Sequence, residues 1–400
     1  MATNESSLVL GVPRETFPGE QRVALVPSVI APLLKKGCSV WVEAGAGEAA
    51  GFPDSEYQAA QAQIAGSRDE IFEKASVILQ VRAFGANPEA GQADLARLRN
   101  GQIVVSFLDP LADPSACVEP AKRGVTSFAM ELIPRISRAQ VMDALSSQAN
   151  LSGYKSVLLA AGMLPKIFPM MMTAAGTISP AHVFIIGAGV AGLQAIATAR
   201  RLGAVVQAYD VRPAVKDQVQ SLGARFVELS IESRDSEDSG GYAKAQDETF
   251  YQKQRELMTQ VVAHSDVVIT TAAVLGKKAP ILLTRDMVEH MKPGSIVVDL
   301  ASERGGNCEC TSPGETVQVN GVTILGPLNL PSSMPYHASQ MYAKNIATFA
   351  LELIKQGGLQ FNLKDEVLSE SLVTHHGEVV HPRVRESLGL APSHPEGSQN

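Results

Sequence analysis

Three glycines are spaced for one kind of chemistry. Gly187, Gly189 and Gly192 stand as G-x-G-x-x-G, directly after the apolar run "HVFII" and directly before a helical pattern. In that context each has a task around a pyrophosphate: Gly187 permits a tight turn, Gly189 lets the backbone approach the phosphates, and Gly192 lets helix and strand pack closely. Ala188 and Val190 lie between them. The helix that follows would point its free N–H groups and positive dipole end at the phosphates. The motif alone is weak; here it agrees with a strand before it, a helix after it and an acid at the end of the next strand. That acid is Asp210, closing "VVQAYD". A carboxylate there accepts hydrogen bonds from the adenosine ribose and repels a 2′-phosphate, which favours NAD(H) over NADP(H). Arg212, beyond Val211, points the other way, since an arginine there can accommodate a phosphate; Asp210 carries the greater weight.

A cofactor motif does not name the substrate, and other reactive side chains are few. The four cysteines (Cys38, Cys117, Cys308, Cys310) are too scattered for a disulfide framework. Cys308-x-Cys310 has no second ligand pair nearby and reads as two thiols in a loop, so no metal site is expected. His375, His376 and His381 fall in a polar C-terminal segment and read as surface residues. The net charge of −7 argues against a nucleic-acid surface. No basic stretch followed by an apolar one opens the chain, so no signal peptide is expected. The apolar region from Ser156 to Ala199 is interrupted by Pro165, Lys166, Pro169 and Pro180 and offers no clean membrane span. A cytoplasmic protein is expected.

The elements that must hold these residues follow from periodicity. Short β-type runs ("SLVLGV", "SVWVEAG", "ASVILQV", "GQIVVSFL", "GVTSFAMEL") alternate with helical stretches in the first third, and "HVFIIG", "VVQAYD", "RFVEL", "DVVITTA", "SIVVDLA" and "VTILG" do so again from His182. Alternation at this spacing predicts an α/β fold with two doubly wound, parallel-sheet, Rossmann-like domains. Long helices join them: one predicted from about Ser137 to Met163, and one after Pro335 that returns to the first domain. The expected division is residues 1–136 with 332–390, residues 137–331 for the dinucleotide domain, and a disordered tail at 391–400. The run Met170–Met172 is expected to be core or inter-domain packing, with a soft binding surface as the alternative. A long polar insertion, about Ser230 to Asp247 and containing Gly240-Gly241, reads as a lid or a disordered loop.

"GVPRETFPGEQRVALVPSVIAPLLKKG" resembles the N-terminus shared by alanine dehydrogenases and the soluble NAD(H)-binding component of proton-translocating NAD(P) transhydrogenases. "ELIPRISRAQVMDALSSQANLSGYKS", "FPMMMTAAGTI", "GAGVAGLQAIATARRLGAVV", "GGYAK" and "DLASERGGN" resemble the transhydrogenase component specifically, and together the similarity spans about Leu8 to Leu390. Departures separate the two families. Arg22 matches the dehydrogenase's substrate arginine. The strand end that carries its lysine reads "LQVRAFG" here, the region of its catalytic histidine reads "SFLDPLAD", and a further catalytic aspartate falls at Glu303. Without the histidine there is no evident acid or base for an amino-acid reaction. A hydride passing between two nicotinamides needs none; it needs two rings in contact with water excluded.

The resemblance therefore implies NAD(H) bound by this chain and NADP(H) bound by a partner subunit. It implies a homodimer, docking on the NADP-binding beta subunit, and proton translocation in a membrane-spanning partner on whose inner face the chain sits. It implies that Arg135, Gln140, Asp143 and Ser146 position the nicotinamide, with Gln140 reaching toward the partner's cofactor. Their spacing by threes would place Gln140, Asp143 and Ser146 on one helical face; an ordinary helix start capped by Ser137 fits the same spacing. Further implied NAD contacts are Ile136, Ser137, Ala188 to Val190, Asp210, Val211, Arg212, Gly241, Tyr242, Gln254, Thr271, Ala272 and Ala273. The alternatives are an alanine dehydrogenase-like oxidoreductase and a non-enzymatic NAD-binding protein.

Overall fold

The computed structural model describes residues 8–228, 258–355, 358–360 and 362–391. The polar insertion at 230–247, with Gly241 and Tyr242, and also Gln254, lie outside the described residues. The chain divides into two compact units: one takes the described residues up to Gln148 and those from Ser332 onward, the other takes those of Ala149–Pro331.

The first unit is built on an eight-stranded sheet. Across it, by residue number, run 378–379, 372–375, 126–129, 103–107, 77–82, 8–12, 38–43 and 63–65. All neighbours are parallel except at the first edge, where Leu372–His375 runs antiparallel to Thr126–Ala129 and to Glu378–Val379. Central strands such as Val77–Arg82 are buried on both faces, which is why they read as unbroken apolar runs. Cys38–Glu43, nearer an edge, alternates buried and half-buried. Helix Pro335–Glu352 belongs to this unit. Its Ala338, Tyr342, Ile346 and Phe349 recur at helical spacing and are fully buried. Phe349 meets Phe128 edge-on at 5.4 Å, and the Tyr342 hydroxyl donates to the Gln80 carbonyl at 2.7 Å.

The second unit has a seven-stranded sheet, ordered 225–226, 205–209, 182–186, 267–270, 296–299, 322–325 and 316–319, parallel but for the last strand. The connection direction reverses at His182–Ile186, between Val205–Tyr209 and Val267–Thr270. In such sheets ligands bind at the carboxyl ends of the strands at that reversal.

Three elements differ from the sequence expectation. The run predicted as one helix from Ser137 is two: a 3-10 helix at Ser137–Met142, then the helix Ala144–Met163. Asp143, with ψ of 87°, breaks the path between them. Residues 137–148 belong to the first unit, whereas the expected division put them in the second. The methionine run is not packed inside. Met171–Thr173 and Gly176–Ile178 form an antiparallel hairpin with every strand residue exposed, and Met172 is 76% exposed. The pattern misleads because methionine's adaptability serves cores and exposed binding surfaces equally.

Candidate functional site

The glycine turn lies where the second sheet reverses. Strand His182–Ile186 ends at Gly187, which has a φ of +99°. Gly189 caps the helix Val190–Arg201 in an extended conformation. A side chain on Gly187 would come within 2.6 Å of the Thr271 hydroxyl, and one on Gly192 would collide with the Gly187 carbonyl oxygen. Gly189 is different: a methyl there would meet nothing within 4 Å among the described residues beyond its own turn. Two of the three glycines are thus required by the protein's own packing. The third leaves open space, among the described residues, above the first N–H groups of the helix, which fits the approach of an anionic pyrophosphate. Close packing extends to Gly153 on the long helix, where a side chain would strike the Ala191 carbonyl.

Asp210 holds this turn in place. It is 8% exposed. Its Oδ2 accepts from the Ala188 N–H at 2.7 Å, and Arg212 closes on it from the other side. The Arg212 N–H and Nε both donate to Oδ1 at 2.9 Å, and an Arg212 terminal nitrogen donates to Oδ2 at 3.0 Å. The guanidinium that could have served a 2′-phosphate is therefore laid along the carboxylate, and Val211 lies between them in sequence. Thr271 follows strand Val267–Thr270; it donates to the Gly187 carbonyl at 3.0 Å, its own N–H bonds the Ile186 carbonyl at 2.8 Å, and Ala272 and Ala273 continue the segment.

Sequence reasoning missed the residues that secure that segment. Asp299 and Asn307 are fully buried. Both lie in or beside "DLASERGGN"; the signal available was an acid ending a buried strand, followed by a glycine pair. Gly305 and Gly306 have φ of +90° and +81°, and a side chain on Gly306 would come within 2.7 Å of Asp299.

In the first unit, Arg135, Ser137 and Gln140 are exposed, while Ile136, Asp143 and Ser146 are half-buried. Ser137 makes no cap. Asp143 does: its Oδ1 accepts from the Ser146 N–H at 2.8 Å and its Oδ2 from the Ser146 hydroxyl at 2.5 Å. Such a cap contributes about 1 kcal/mol to the helix. Asp143 and Ser146 meet as cap and third helical residue, not across a shared face. The 3-10 turn ahead of them is anchored by Ala139 and Met142 in the core and by Asn345, which donates to the Val141 carbonyl at 2.8 Å. Arg138 pairs with Asp365 at 2.6 Å, and that hydrogen bond holds the Asp365 carboxyl below its ordinary range. Gln140 and Val141 are displayed between these anchors, Val141 being 52% exposed.

The other reactive groups lie elsewhere or are committed. Arg22 is 3% exposed; its fork faces Glu20 at 2.7 Å and Gln148 at 2.9 Å. Beyond strand Ile103–Phe107 stands Asp109, in a left-handed conformation at φ +55°. Glu131 ties the Leu108 and Asp109 N–H groups at 2.9 and 2.5 Å, and burial pushes its carboxyl up to about 7. The chain has no histidine before His182. His381 is not the surface residue its polar neighbourhood suggested: it is 4% exposed and burial lowers it to about 4. His375 bonds Thr126 at 3.0 Å. Cys308 and Cys310 are buried free thiols, and burial pushes Cys308 up to about 12. Glu303 accepts from the Asn329 N–H. No group of three metal ligands exists among the described residues, and no helix among them is long and apolar enough to cross a membrane.

Comparison with known proteins places both units. Residues 11–152 match the family described as alanine dehydrogenase/PNT, N-terminal domain, and residues 156–382 match its C-terminal domain. The chain is 45% identical over 376 residues to the first of the pieces that make up the NAD(P) transhydrogenase alpha subunit of Rhodospirillum rubrum, covering 93% of this chain and 98% of that one. It is 30% identical to alanine dehydrogenase of Mycobacterium tuberculosis, covering 96% and 98%. Among solved structures it resembles the transhydrogenase of Sinorhizobium meliloti, with 45% identity, a TM-score of 0.82, and coverage of 93% of this chain and all of that one.

Proposed function

The chain belongs to the alanine dehydrogenase/PNT family, and on that premise we propose that it is the NAD(H)-binding subunit of a proton-translocating NAD(P) transhydrogenase. Hydride passes directly from NADH held on this chain to NADP held on a partner subunit. Proton translocation belongs to a membrane-spanning partner, on whose inner face this chain sits. The observation that carries the choice between branches is the missing proton-transfer histidine. The segment where the dehydrogenase resemblance calls for a histidine reads "SFLDPLAD" here, and no histidine precedes His182. An amino-acid dehydrogenase must move protons as well as hydride. Transfer between two nicotinamides moves only the hydride, so no acid or base is needed and positioning is everything.

Roles follow from the family resemblance, each supported within its own unit. In the second, Gly187, Gly189, Gly192 and the helix start receive the pyrophosphate, with Ala188 and Val190 beside them. Asp210 takes the ribose hydroxyls, and Val211, Arg212 and Thr271 to Ala273 complete the contacts. In the first, Arg135, Ile136 and Ser137 bind the nicotinamide end. Gln140 orients it toward the partner's ring, and Asp143 with Ser146 fixes the turn that displays Gln140. Gly241, Tyr242 and Gln254 remain proposed contacts on the resemblance alone.

The reading is tested by single-turnover transfer. The chain alone should not oxidise NADH with pyruvate and ammonia; adding the NADP-binding component should start transfer to NADP. Turnover with pyruvate and ammonia would move the chain to the dehydrogenase branch. No transfer with the component present would leave only a nucleotide-binding role.

Cofactor choice gives a second expected result. Arg212 is laid on Asp210, the carboxylate proposed to take the ribose hydroxyls. NADH should bind at least about tenfold more tightly than NADPH, a difference of about 1.4 kcal/mol. Equal affinities in a titration would return Arg212 to the role of phosphate ligand.

We further propose a homodimer joined through the methionine hairpin. Met170, Met171, Met172 and Ile178 are 61%, 44%, 76% and 48% exposed. A two-stranded hairpin has marginal stability in water, and large contiguous apolar exposure marks an interface. Met172→Glu should convert a dimer to a monomer in light scattering while leaving NADH affinity within about twofold, since the hairpin is no part of the nucleotide contacts. A variant that stays dimeric would place the interface elsewhere.

A further inference from the structure

We propose that Asp299 and Asn307, which make none of the assigned nucleotide contacts, are positioning residues for the bound nucleotide. In this reading, which rests on the NAD(H) assignment above, they set the glycine turn through Thr271 and Ala272.

The geometry forms a continuous relay. Asp299 closes strand Ile296–Asp299 and accepts five hydrogen bonds. Its Oδ1 takes the Thr270 hydroxyl at 2.9 Å and the Ala301 N–H at 3.0 Å. Its Oδ2 takes the Asn307 N–H at 2.8 Å, the Cys308 N–H at 3.0 Å and the Thr311 hydroxyl at 2.7 Å. This fixes the backbone of Asn307. The Asn307 carboxamide then grips Ala272 on both sides: its Oδ1 accepts from the Ala272 N–H at 3.0 Å, and its Nδ2 donates to the Ala272 carbonyl at 2.8 Å. The same Nδ2 donates to the Pro280 carbonyl at 2.8 Å. A side-chain amide thus replaces the missing strand partner just where Val267–Thr270 stops pairing.

Thr271, adjacent to the gripped residue, passes the constraint on. Its hydroxyl bonds the Gly187 carbonyl, and that peptide leads into Ala188, whose N–H is held by Asp210. The glycine turn is therefore fixed from two directions. Asp210 fixes it from the strand on one side, and the Asp299–Asn307–Thr271 chain fixes it from the strand on the other. Burial makes the relay stiff, because a buried donor or acceptor left without its partner is costly. Small misplacement of a binding cradle lowers affinity steeply.

The test separates positioning from mere stability. NADH affinity is measured by fluorescence titration on the full chain, well below the melting temperature. Wild type, Asn307→Ala and a control, Val288→Ala, are compared; the control opens a cavity in the same unit and removes none of the relay's hydrogen bonds. Asn307→Ala should weaken NADH binding by about tenfold or more, by the cost of misplacement. Val288→Ala should lower the melting temperature without changing affinity. Thr271→Val and Thr271→Ser keep the question open to refutation if Asn307→Ala fails to fold. The first removes the hydroxyl and should lose affinity, and the second keeps it and should restore most of it. Unchanged affinity in a folded Asn307→Ala, or equal affinities in the two Thr271 variants, would overturn the relay. Wild type failing to bind NADH would overturn the nucleotide assignment itself and the relay with it.

Discussion

Gln140→Leu is expected to slow hydride transfer to partner-bound NADP by about a hundredfold or more, while NADH affinity and the fold stay nearly unchanged. The local structure gives the reason for both halves. Gln140 is exposed on a 3-10 turn whose neighbours Ala139 and Met142 are buried. Asn345 and the Arg138–Asp365 pair secure that turn without using the Gln140 side chain. Removing the carboxamide therefore costs the fold little. An amide can neither donate a proton as an acid nor take one as a base at neutral pH, so what Leu removes is hydrogen-bonded orientation. Arg135→Ala should weaken NADH binding and transfer together, because the contact proposed for it is present before and during the reaction. Single-turnover transfer in the reconstituted complex is the measurement. A Gln140→Leu chain that transfers at the wild-type rate would reduce the segment from Arg135 to Ser146 to an ordinary capped helix start.

Gly189→Val should abolish measurable NADH binding, a loss of about a hundredfold or more, with the melting temperature almost unmoved. Gly189 sits in an extended conformation that a β-branched residue adopts readily, and among the described residues a methyl there meets nothing within 4 Å beyond its own turn. The added side chain would occupy the space through which the backbone N–H groups meet the pyrophosphate. Gly192→Ala contrasts with it, since its methyl collides with the Gly187 carbonyl and should cost about 1–3 kcal/mol of stability as well as binding. Calorimetric titration with NADH and thermal melting, run on both variants, distinguish a blocked site from a distorted one. A Gly189→Val chain that binds NADH within threefold of wild type would remove the pyrophosphate from this helix start.

Much of the site is legible in sequence because its chemistry is local. Turn, helix start and acid lie within 24 residues, from Gly187 to Asp210, and each is specified by its own residue type: glycine for backbone conformation, carboxylate for the ribose proposed to bind there. The Asp210–Arg212 question is visible but open in sequence. Side-chain geometry is what lays the guanidinium on the carboxylate. In sequence Ser137 reads as the cap of the whole run from Ser137 to Met163. Burial of Ala139 and Met142 against the first unit's core, with Asn345 holding Val141, ends the 3-10 turn at Met142 and leaves Asp143 as the cap.

The sequence by itself determined the two alternating α/β runs, the dinucleotide motif and the lack of a proton-transfer histidine, all of which are properties of residue type and short-range spacing. Tertiary structure alone decided what depends on distant partners. It put Met171 and Met172 on an exposed hairpin, because no surface of their own unit covers them. It buried His381 among residues that look polar in sequence. It moved residues 137–148 into the first unit. It joined Asp299 to Asn307 and Asn307 to Ala272, 35 residues away in the chain. Hydrophobic period tells which face of an element is apolar, but not what that face meets. A buried carboxylate or amide can be recognised as a hub only when the donors and acceptors that surround it, brought from separate strands and loops, are in place.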